Sequence, residues 1–485
     1  MIAPYFVVIP LLTAFLIVIF GKKGERISGF IALIAAFTLL VLSLMLFPVI
    51  DSEGTIVYEV SGWKIPYTIA LVIDYLSAFF VIMISLIAAL SIMFSLKYMK
   101  KFTVNRGYYA LFMLLLAGLY GVAITGDLFN LFVFMEIALI ATYALVAFQG
   151  EAEHYEAAFK YAIMGAISST LILFGIGSAY SLTSTLTMMQ ISSNAATTGG
   201  IYLLSAFFLA GFGLKAAMFP LHSWLPDAHP SAPSPVSAML SGVLIKVLGA
   251  YAIIRVFYIV FEPSAIVNEA LVVLGTISMI VGAIMAIGQK DIKRMLGFSS
   301  VSQMGYILFA IGLATPLGFL AALFHMINHA ISKGLLFLDS GVVEENEGTR
   351  NMEEMQGLSD SVTRTSTLMG ALSIAGIPPF GGFFSKLLII VAAIASGRLV
   401  YGLIGLVVGV MTLGYYLGML RRTFREKKTG SRLAFSIKVS LVILACLTLA
   451  TALLMIPALK EGFLDKAVES ITNREAYGLL FGAGD

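Results

Sequence analysis

Fourteen separate stretches of mostly apolar residues recur along this chain, and an apolar helix of about 20 residues is what crosses a bilayer. They run roughly 2–20, 27–49, 70–96, 107–124, 128–148, 158–181, 200–219, 233–258, 266–287, 294–313, 316–340, 365–393, 398–420 and 435–457. No strand-like alternation of apolar and polar residues accompanies them. The pattern therefore predicts an all-α polytopic membrane protein of about 14 transmembrane helices rather than a barrel. Of the 485 residues, 59% are hydrophobic and 12% are charged, against about 25% charged in soluble domains. Too little polar surface exists to coat soluble domains of this total size. A cytoplasmic enzyme, a nucleic-acid binder and a disordered scaffold are excluded together. Residues 1–20 lack a basic start and a small-residue cleavage site, so they read as a first span rather than a removable signal. Cys446 is the one cysteine. No disulfide framework, iron–sulfur site or thiolate zinc site can be built from it, and no dinucleotide fingerprint is present. No cofactor and no metal are expected.

The lysines and arginines set the orientation. With fourteen spans, alternate loops share a side. One side collects twenty of these residues, among them Lys22, Lys23, Lys97, Lys100, Lys101, Lys293, Arg294, Arg425, Lys427, Lys428 and Arg432. The other side holds six: Lys64, Arg255, Arg398, Lys460, Lys466 and Arg474. The basic side is the cytoplasmic one, so both termini are expected on the outer face of the cell membrane.

Four lysines belong to neither side. Lys215, Lys246, Lys333 and Lys386 each fall within a predicted span, and Glu136 sits near the middle of another. Asp74, Asp127 and Asp339 fall near span ends. A charge at the bilayer centre costs about 2.5–3.5 kcal/mol even on the lenient insertion scale. A single lysine can be packing glue or can snorkel to the interface. Snorkelling fails at mid-span, and five charges on separate helices are hard to read as glue. Lysine also has a property that arginine lacks. Its pKa falls on burial and rises beside a carboxylate, so it can take up and release a proton, whereas arginine stays charged. Lysines and histidines in series form a proton wire, with a glutamate as its adjustable bias.

His325, His329 and Lys333 are spaced i, i+4, i+8 and share one helix face. Two histidines at that spacing can hold zinc, but no glutamate lies between them and no third ligand is near, so a titrating polar stripe is the better reading. Two helix breaks lie beside lysines. Phe219-Pro220-Leu221-His222-Ser223-Trp224-Leu225-Pro226-Asp227 follows Lys215, and Gly376-Ile377-Pro378-Pro379-Phe380-Gly381-Gly382 precedes Lys386. Broken helices at depth are tolerated only against protein or water. Paired in two halves of a chain, they point to an ion site in inverted-repeat transporters. Each alone is an ordinary proline kink.

Several of these segments resemble one family. They are Gly126-Asp127-Leu128-Phe129-Asn130-Leu131-Phe132-Val133-Phe134-Met135-Glu136, Gly213-Leu214-Lys215 through His229 to Ala238, Asp291-Ile292-Lys293-Arg294, Phe298 to Tyr306, His325 to Lys333 and Gly376 to Lys386. Together they are similar to the antiporter-like proton-translocating subunits shared by respiratory complex I, Mrp-type sodium/proton antiporters and membrane-bound hydrogenase-type complexes. The resemblance covers roughly 100–420. It implies two inverted five-helix repeats, helices 4–8 and 9–13, with helices 7 and 12 broken. The expected division is residues 1–106 for helices 1–3, 107–258 and 266–421 for the repeats, and 422–485 for helix 14 and the tail. It also implies roles. Glu136 pairs with Lys215, and Lys246 is the central lysine. His325 and His329 bridge two half-channels, and Lys386 passes the proton to the outer exit. Lys333 belongs to the same helix-11 motif, and Ser302 and Gln303 line the second half-channel.

Departures narrow the subtype. Many middle subunits of complex I carry Glu where this chain has Lys386. The longest members continue well past helix 14, and this chain stops about 28 residues after it. It looks most like the shorter Mrp antiporter subunit or its hydrogenase-type counterpart. The expected partners are other membrane subunits of one complex, with a peripheral redox arm in some versions, together with lipid and protons. Sodium, if carried, would pass through a neighbour or, alternatively, through this chain. Sodium favours oxygen ligands, and a lysine-rich path offers few. The chain is not expected to be an enzyme by itself. The enzyme-class rival is an intramembrane transferase using His222, Asp227 and His229, and a further rival is a purely structural subunit.

Overall fold

The computed structural model describes residues 2–20, 25–65, 67–102, 105–193, 201–262, 264–355, 357, 360–424 and 433–481. Lys22, Lys23, Arg425, Lys427, Lys428 and Arg432 lie outside these. The helices are α1 (Tyr5–Phe20), α2 (Glu25–Leu44), α3 (Tyr75–Tyr98), α4 (Asn105–Ile124), α5 (Leu128–Val146), α6 (Ala152–Thr183) and α7 in two pieces, α7a (Ile201–Lys215) and α7b (Leu225–Ser231). There follow α8 (Ser234–Val260), α9 (Ala265–Ile287), α10 (Ile292–Gly312), α11 (Pro316–Glu347), the split α12a (Ser361–Ala375) and α12b (Gly381–Ala395), α13 (Leu399–Thr423) and α14 (Phe435–Ala450). Among the described residues, eleven helices are long and apolar enough to cross a membrane. The shorter apolar helices α1, α7a and α12b complete the fourteen.

Layering follows from what each helix face carries. The outer helices show large apolar side chains outward, for example Phe15 of α1, Phe159 of α6 and Val400 and Val410 of α13. These faces suit lipid, since hydrocarbon neither rewards nor penalises Val and Phe relative to a protein neighbour. The helices that hold Lys246, Lys293, Gln303, His325 and Lys333 are enclosed on all sides: α8, α10 and α11 form the centre. Small residues let backbones approach there. A Cβ on Gly305 of α10 would lie 2.4 Å from the backbone nitrogen of Met279 in α9, so glycine sets that helix separation.

Several motif residues start helices. The Asp127 carboxylate accepts from the backbone N–H of Asn130 at 2.8 Å, and Asp291 accepts from Arg294 N–H at 2.9 Å. Each satisfies a donor that the first helical turn leaves free, a contribution of about 1 kcal/mol. Asp74 does the same for α3 through Ser77 N–H at 2.8 Å.

The start of the third span differs from expectation. Residues 70–73 are not helical. They form β2 (Ala70–Ile73), paired antiparallel with β1 (Ile56–Glu59), with Ile56 opposite Ile73. A short apolar run fits a buried strand as well as a helix, and the Asp74 cap fixes the helix start beyond it. Asp74 also corrects the reading of Arg255. That arginine is no loop charge but a buried side chain near the end of α8. Its Nη1 and Nη2 donate to the two Asp74 carboxylate oxygens at 2.6 and 2.8 Å, and its Nε donates to the Tyr251 hydroxyl at 3.1 Å. The planar guanidinium matches a carboxylate edge to edge, and the pair ties α3 to α8 where neither charge meets solvent.

Both expected breaks are present, and each carries one cis X–Pro bond, Phe219–Pro220 and Pro378–Pro379. Their freed backbone groups find partners. At the first, Trp224 Nε1 donates to Leu214 O at 3.1 Å and Phe219 N–H donates to the Ser278 hydroxyl at 2.9 Å. At the second, Gly376 takes φ 82°, and its N–H and that of Ile377 close back on Leu372 O at 3.1 and 3.0 Å. This is a glycine helix stop. Gly382 is fixed by space rather than by φ: a Cβ there would sit 1.8 Å from Ser373 O.

Candidate functional site

The site is a line of polar groups through α5–α8 and α10–α13. At one end, Glu136 projects from the middle of α5 and is partly exposed. Lys215 ends α7a and is buried. The direct pair expected from the sequence does not form. Instead, the Ser169 hydroxyl of α6 stands between the two, bonded to a Glu136 carboxylate oxygen and accepting from Lys215 Nζ at 3.1 Å. Lys215 Nζ also donates to Gly165 O at 3.3 Å. A hydroxyl, a group that can both donate and accept, therefore stands between the glutamate and the lysine.

Lys246 lies at the centre of α8 with no exposed surface. Its Nζ donates to Ser241 O at 2.6 Å. Wide helical turns over Leu240–Leu244 and Lys246–Tyr251 let it reach a carbonyl of its own helix, a local irregularity frequent at functional positions. From Ser241 the path crosses to α10: the Ser241 and Ser300 hydroxyls are 2.6 Å apart, and Ser300 donates to Leu296 O at 2.9 Å. That same carbonyl accepts from Lys333 Nζ of α11 at 2.8 Å. Lys333 Nζ donates further to the Tyr416 hydroxyl of α13 at 3.0 Å. Tyr416 is 3.0 Å from the Ser299 hydroxyl, which accepts from Tyr415 at 2.9 Å. The Tyr415 hydroxyl adjoins Gln303.

His325 completes the crossing to helix 12. Its Nε2 is 3.2 Å from Gln303 Oε1, and its Nδ1 is 2.9 Å from the Ser385 hydroxyl. Ser385 precedes Lys386. Lys386 Nζ has no hydrogen-bond partner among the described residues and lies over the Tyr306 ring, 5.1 Å from its centroid. The lysine stem packs at the second break, where Gly376 leaves room for it. His329 sits one turn from His325, ring centroids 6.3 Å apart, with neither nitrogen bonded to protein among the described residues.

Four expected residues stand elsewhere. The Ser302 hydroxyl donates to Met279 O at 2.9 Å and ties α10 to α9, so Gln303 alone of the two reaches His325. Asp227 is held by Arg294 Nη1 at 2.6 Å and by Lys160 at 3.5 Å, both at the basic end of the bundle. The His222 ring packs near Phe219 and Phe298, and His229 is fully buried and stacked on Phe337 at 4.3 Å. No hydrogen bond or ion pair joins His222, Asp227 and His229 among the described residues, which gives the transferase reading no assembled centre. No cluster of metal-ligating side chains occurs among the described residues.

At the basic end, Arg350 bonds Pro230 O at 2.6 Å, Glu153 at 2.9 Å and Asp291 at 3.2 Å. Burial raises the Asp291 carboxyl above its ordinary value, opposed by the Arg294 N–H and the Arg350 charge. Burial pulls Arg350 the other way, but the carboxylates of Asp291, Glu153 and Glu344 win and raise it.

Sequence reasoning missed Ser169, Ser241, Ser299, Ser300, Tyr415 and Tyr416. The run Phe298-Ser299-Ser300-Val301-Ser302-Gln303 did carry a signal, since three hydroxyls on an intramembrane turn need partners. Lys293 was also missed as a buried group.

A family profile described as "NADH:quinone oxidoreductase/Mrp antiporter, TM" matches residues 125–412, and one described as "NADH-Ubiquinone oxidoreductase (complex I), chain 5 N-terminus" matches residues 61–112. The chain is 36% identical over 377 residues to an NADH-quinone oxidoreductase subunit of Desulforudis audaxviator, covering 76% of this chain and 75% of that one. It is 32% identical over 416 residues to an Na(+)/H(+) antiporter subunit of Alkalihalophilus pseudofirmus, covering 84% and 83%. A chain in the structure of the Mrp complex from Dietzia sp. superimposes with TM-score 0.92 at 26% identity, covering 98% of this chain and 99% of that one. A chain of the archaeal membrane-bound sulfane sulfur reductase superimposes with the same TM-score at 31% identity and the same coverage.

Proposed function

Because the chain belongs to the NADH:quinone oxidoreductase/Mrp antiporter transmembrane family, we propose that it is the proton-translocating subunit of a multi-subunit membrane complex, moving protons along the buried line from Lys215 and Lys246 to Lys386. It is not an enzyme by itself. Any redox chemistry or sodium exchange belongs to partner subunits. The basic face is cytoplasmic and both termini face outward.

The observation that carries this reading is the shared Leu296 carbonyl. It brings Lys333 and the Ser300 hydroxyl onto one acceptor, at 2.8 and 2.9 Å. Ser300 leads back through Ser241 to Lys246, and Lys333 leads on through Tyr416, Ser299 and Tyr415 to the Gln303–His325–Ser385 contact. Hydroxyls and imidazoles both donate and accept, which proton hopping requires. The Ser241 and Leu296 carbonyls only accept, so they hold Lys246 beside Ser241 and Lys333 beside Ser300, and the proton passes between those side chains. Buried lysines beside them can exist neutral or charged.

In the cycle, a proton enters from the basic face and loads Lys215 or Lys246. While Glu136 stays engaged through Ser169, the charged form of Lys215 is favoured. When Glu136 turns to a neighbouring subunit, Lys215 releases its proton. The charge advances through Lys246, Lys333 and His325 with His329 beside them. Lys386 delivers it to the outer face. A change of one pKa unit is about 1.4 kcal/mol, so altering one poorly solvated contact moves a step. No hydrogen bond joins Lys215 to Lys246 among the described residues. That junction is where a change of state would gate flow. In this reading Ser302, whose hydroxyl donates to Met279 O, serves α9–α10 packing rather than channel lining.

The test is proton and sodium flux in inverted vesicles from cells expressing the intact complex, wild type against Lys246→Ala. The reading expects proton flux to collapse while the complex still assembles. Unchanged flux would assign the lysines to structure and the proton path to another subunit.

A further inference from the structure

At the basic end of the bundle, helices from the two ends of the chain enclose a cavity of about 610 Å³. It lies between α2, the end of α3, α4 and the start of α14, and Phe30, Lys97, Lys100, Tyr109, Phe435 and Ser436 are among its walls. Gly29 lets α2 come this close: a Cβ there would sit 2.8 Å from Leu96 Cδ2 and 3.1 Å from the Tyr109 hydroxyl oxygen. Lys97 and Lys100 lie one turn apart on one side of the chain. Both are exposed, and neither has a carboxylate partner among the described residues. Other cations at the same end do have one: Lys290 holds Glu353, Lys293 holds Glu344, and Arg350 holds Glu153. The cavity thus concentrates positive charge that nothing in the chain neutralises.

Further donors line the same space. Tyr109 is buried, 3% exposed, yet its hydroxyl has one contact among the described residues, to Ser95 at 3.4 Å. Ser95 already donates to Ile92 O at 2.7 Å, so the tyrosine is short of a good partner, and buried hydroxyls ordinarily have one. Ala434 precedes α14, and no side chain caps that helix. Its first-turn N–H groups therefore lack intrahelical acceptors, and the positive end of the helix dipole lies at the cavity. No carboxylate is among the lining residues. This is the chemistry of an anion site. The outward rim is different, since Phe30 and Phe435 are both exposed there. Toward the middle of the membrane, exposed Ile34 and Val41 continue the Phe30 face of α2, and exposed Val442 continues the Phe435 face of α14. A free phosphate would use the donors and leave these faces bare. A ligand with an anionic head and apolar chains uses both.

We propose that this cavity binds the headgroup phosphate of an anionic phospholipid in the leaflet at the basic end, with the acyl chains lying along α2 and α14. Lys97 and Lys100 neutralise the phosphate, and the Tyr109 hydroxyl and the first turn of α14 supply neutral donors. Basic pockets between transmembrane helices favour such headgroups. The bound lipid bridges the N-terminal helices to α14, which meet again deeper in the membrane, where the Ser440 hydroxyl donates to Leu90 O at 3.1 Å. The site stands apart from the line of buried lysines and does not depend on what that line conducts.

The experiment places the intact complex in phosphatidylcholine vesicles that carry a trace of a probe lipid with a photoactivatable diazirine in one acyl chain. The probe is either phosphatidylglycerol or phosphatidylcholine, and labelled peptides are located by mass spectrometry. The phosphatidylglycerol probe is expected to label the segments around Phe30 and Phe435 roughly 30-fold more than the phosphatidylcholine probe, the combined effect of two lysines. This comparison needs no variant. Lys97→Gln/Lys100→Gln should abolish the preference and Lys97→Arg/Lys100→Arg should keep it, with assembly of each complex verified on a native gel. Lys290→Gln, which removes a charge outside the cavity, should leave it unchanged, and excess inorganic phosphate should not displace the probe. Equal labelling by the two probes, or a preference that survives Lys97→Gln/Lys100→Gln, overturns the proposal. The same loss in Lys290→Gln would make the effect one of general surface charge, and displacement by inorganic phosphate would make the site one for the free anion; either result overturns it. Absence of label at both segments also overturns it, since a partner subunit would then cover this face.

Discussion

Replacing Tyr416 with Phe removes one oxygen and leaves everything else in place. The Tyr416 hydroxyl joins Lys333 to the Ser299–Tyr415 pair, at 3.0 Å on either side. Its ring is fully buried and packs against Tyr415 with centroids 4.9 Å apart. Phe keeps that packing, so folding and assembly should be nearly unchanged. The lost contact is a hydrogen bond to a group that carries charge during transfer, worth about 1.5–3 kcal/mol. If that interaction is realised as the charge moves from Lys333 toward His325, each 1.36 kcal/mol raises the barrier about tenfold. Proton flux should therefore fall roughly 10- to 100-fold. The assay is acidification of inverted vesicles containing the intact complex, normalised to the amount of assembled complex. Flux within twofold of wild type in Tyr416→Phe would refute the reasoning, because it would mean that protons bypass this hydroxyl.

Two further substitutions probe other joints. Ser169→Ala severs the hydroxyl between Glu136 and Lys215 while keeping both charges; flux should fall several-fold, less than with Glu136→Gln, and an effect larger than that of Glu136→Gln would place Ser169 outside the Glu136–Lys215 relay. Gly382→Ala sets a Cβ 1.8 Å from Ser373 O; forcing apart the two halves of α12 costs about 1–3 kcal/mol, and the level of assembled complex on a native gel should drop, whereas an undiminished level would show that the break tolerates a side chain.

The parts of the site legible in the sequence are those with a large energetic cost. A mid-span lysine is conspicuous because water-free burial of a charge is expensive. Lys215, Lys246, Lys333 and Lys386 stand out in this way, and all four are buried in the structure. The breaks at Pro220 and at Pro378–Pro379 are equally visible, because proline and glycine interrupt an apolar helix on their own account. Serine and tyrosine cost little in a membrane helix, and serine back-bonds to its own turn. Ser241, Ser300 and Tyr416 therefore read as ordinary filler until neighbouring helices place them between lysines. Arg255 and Lys293 escape notice for a different reason. Both lie at span ends, where a positive charge fits the topology rule without further explanation, and only packing reveals the partners that draw them inside, Asp74 and Glu344. The strand at Ala70–Ile73 is hidden because four apolar residues carry no period that distinguishes strand from helix.

The central claim is that Lys246 works by titrating and not merely by being charged. Arginine separates the two, since it carries the same charge and does not give up its proton in a protein. Proton flux in inverted vesicles should be compared for wild type, Lys246→Met and Lys246→Arg, with assembly of the complex verified for each. The account predicts that Lys246→Arg is as inactive as Lys246→Met. Flux near the wild-type level in Lys246→Arg would contradict it and make Lys246 a fixed charge beside a path that runs elsewhere.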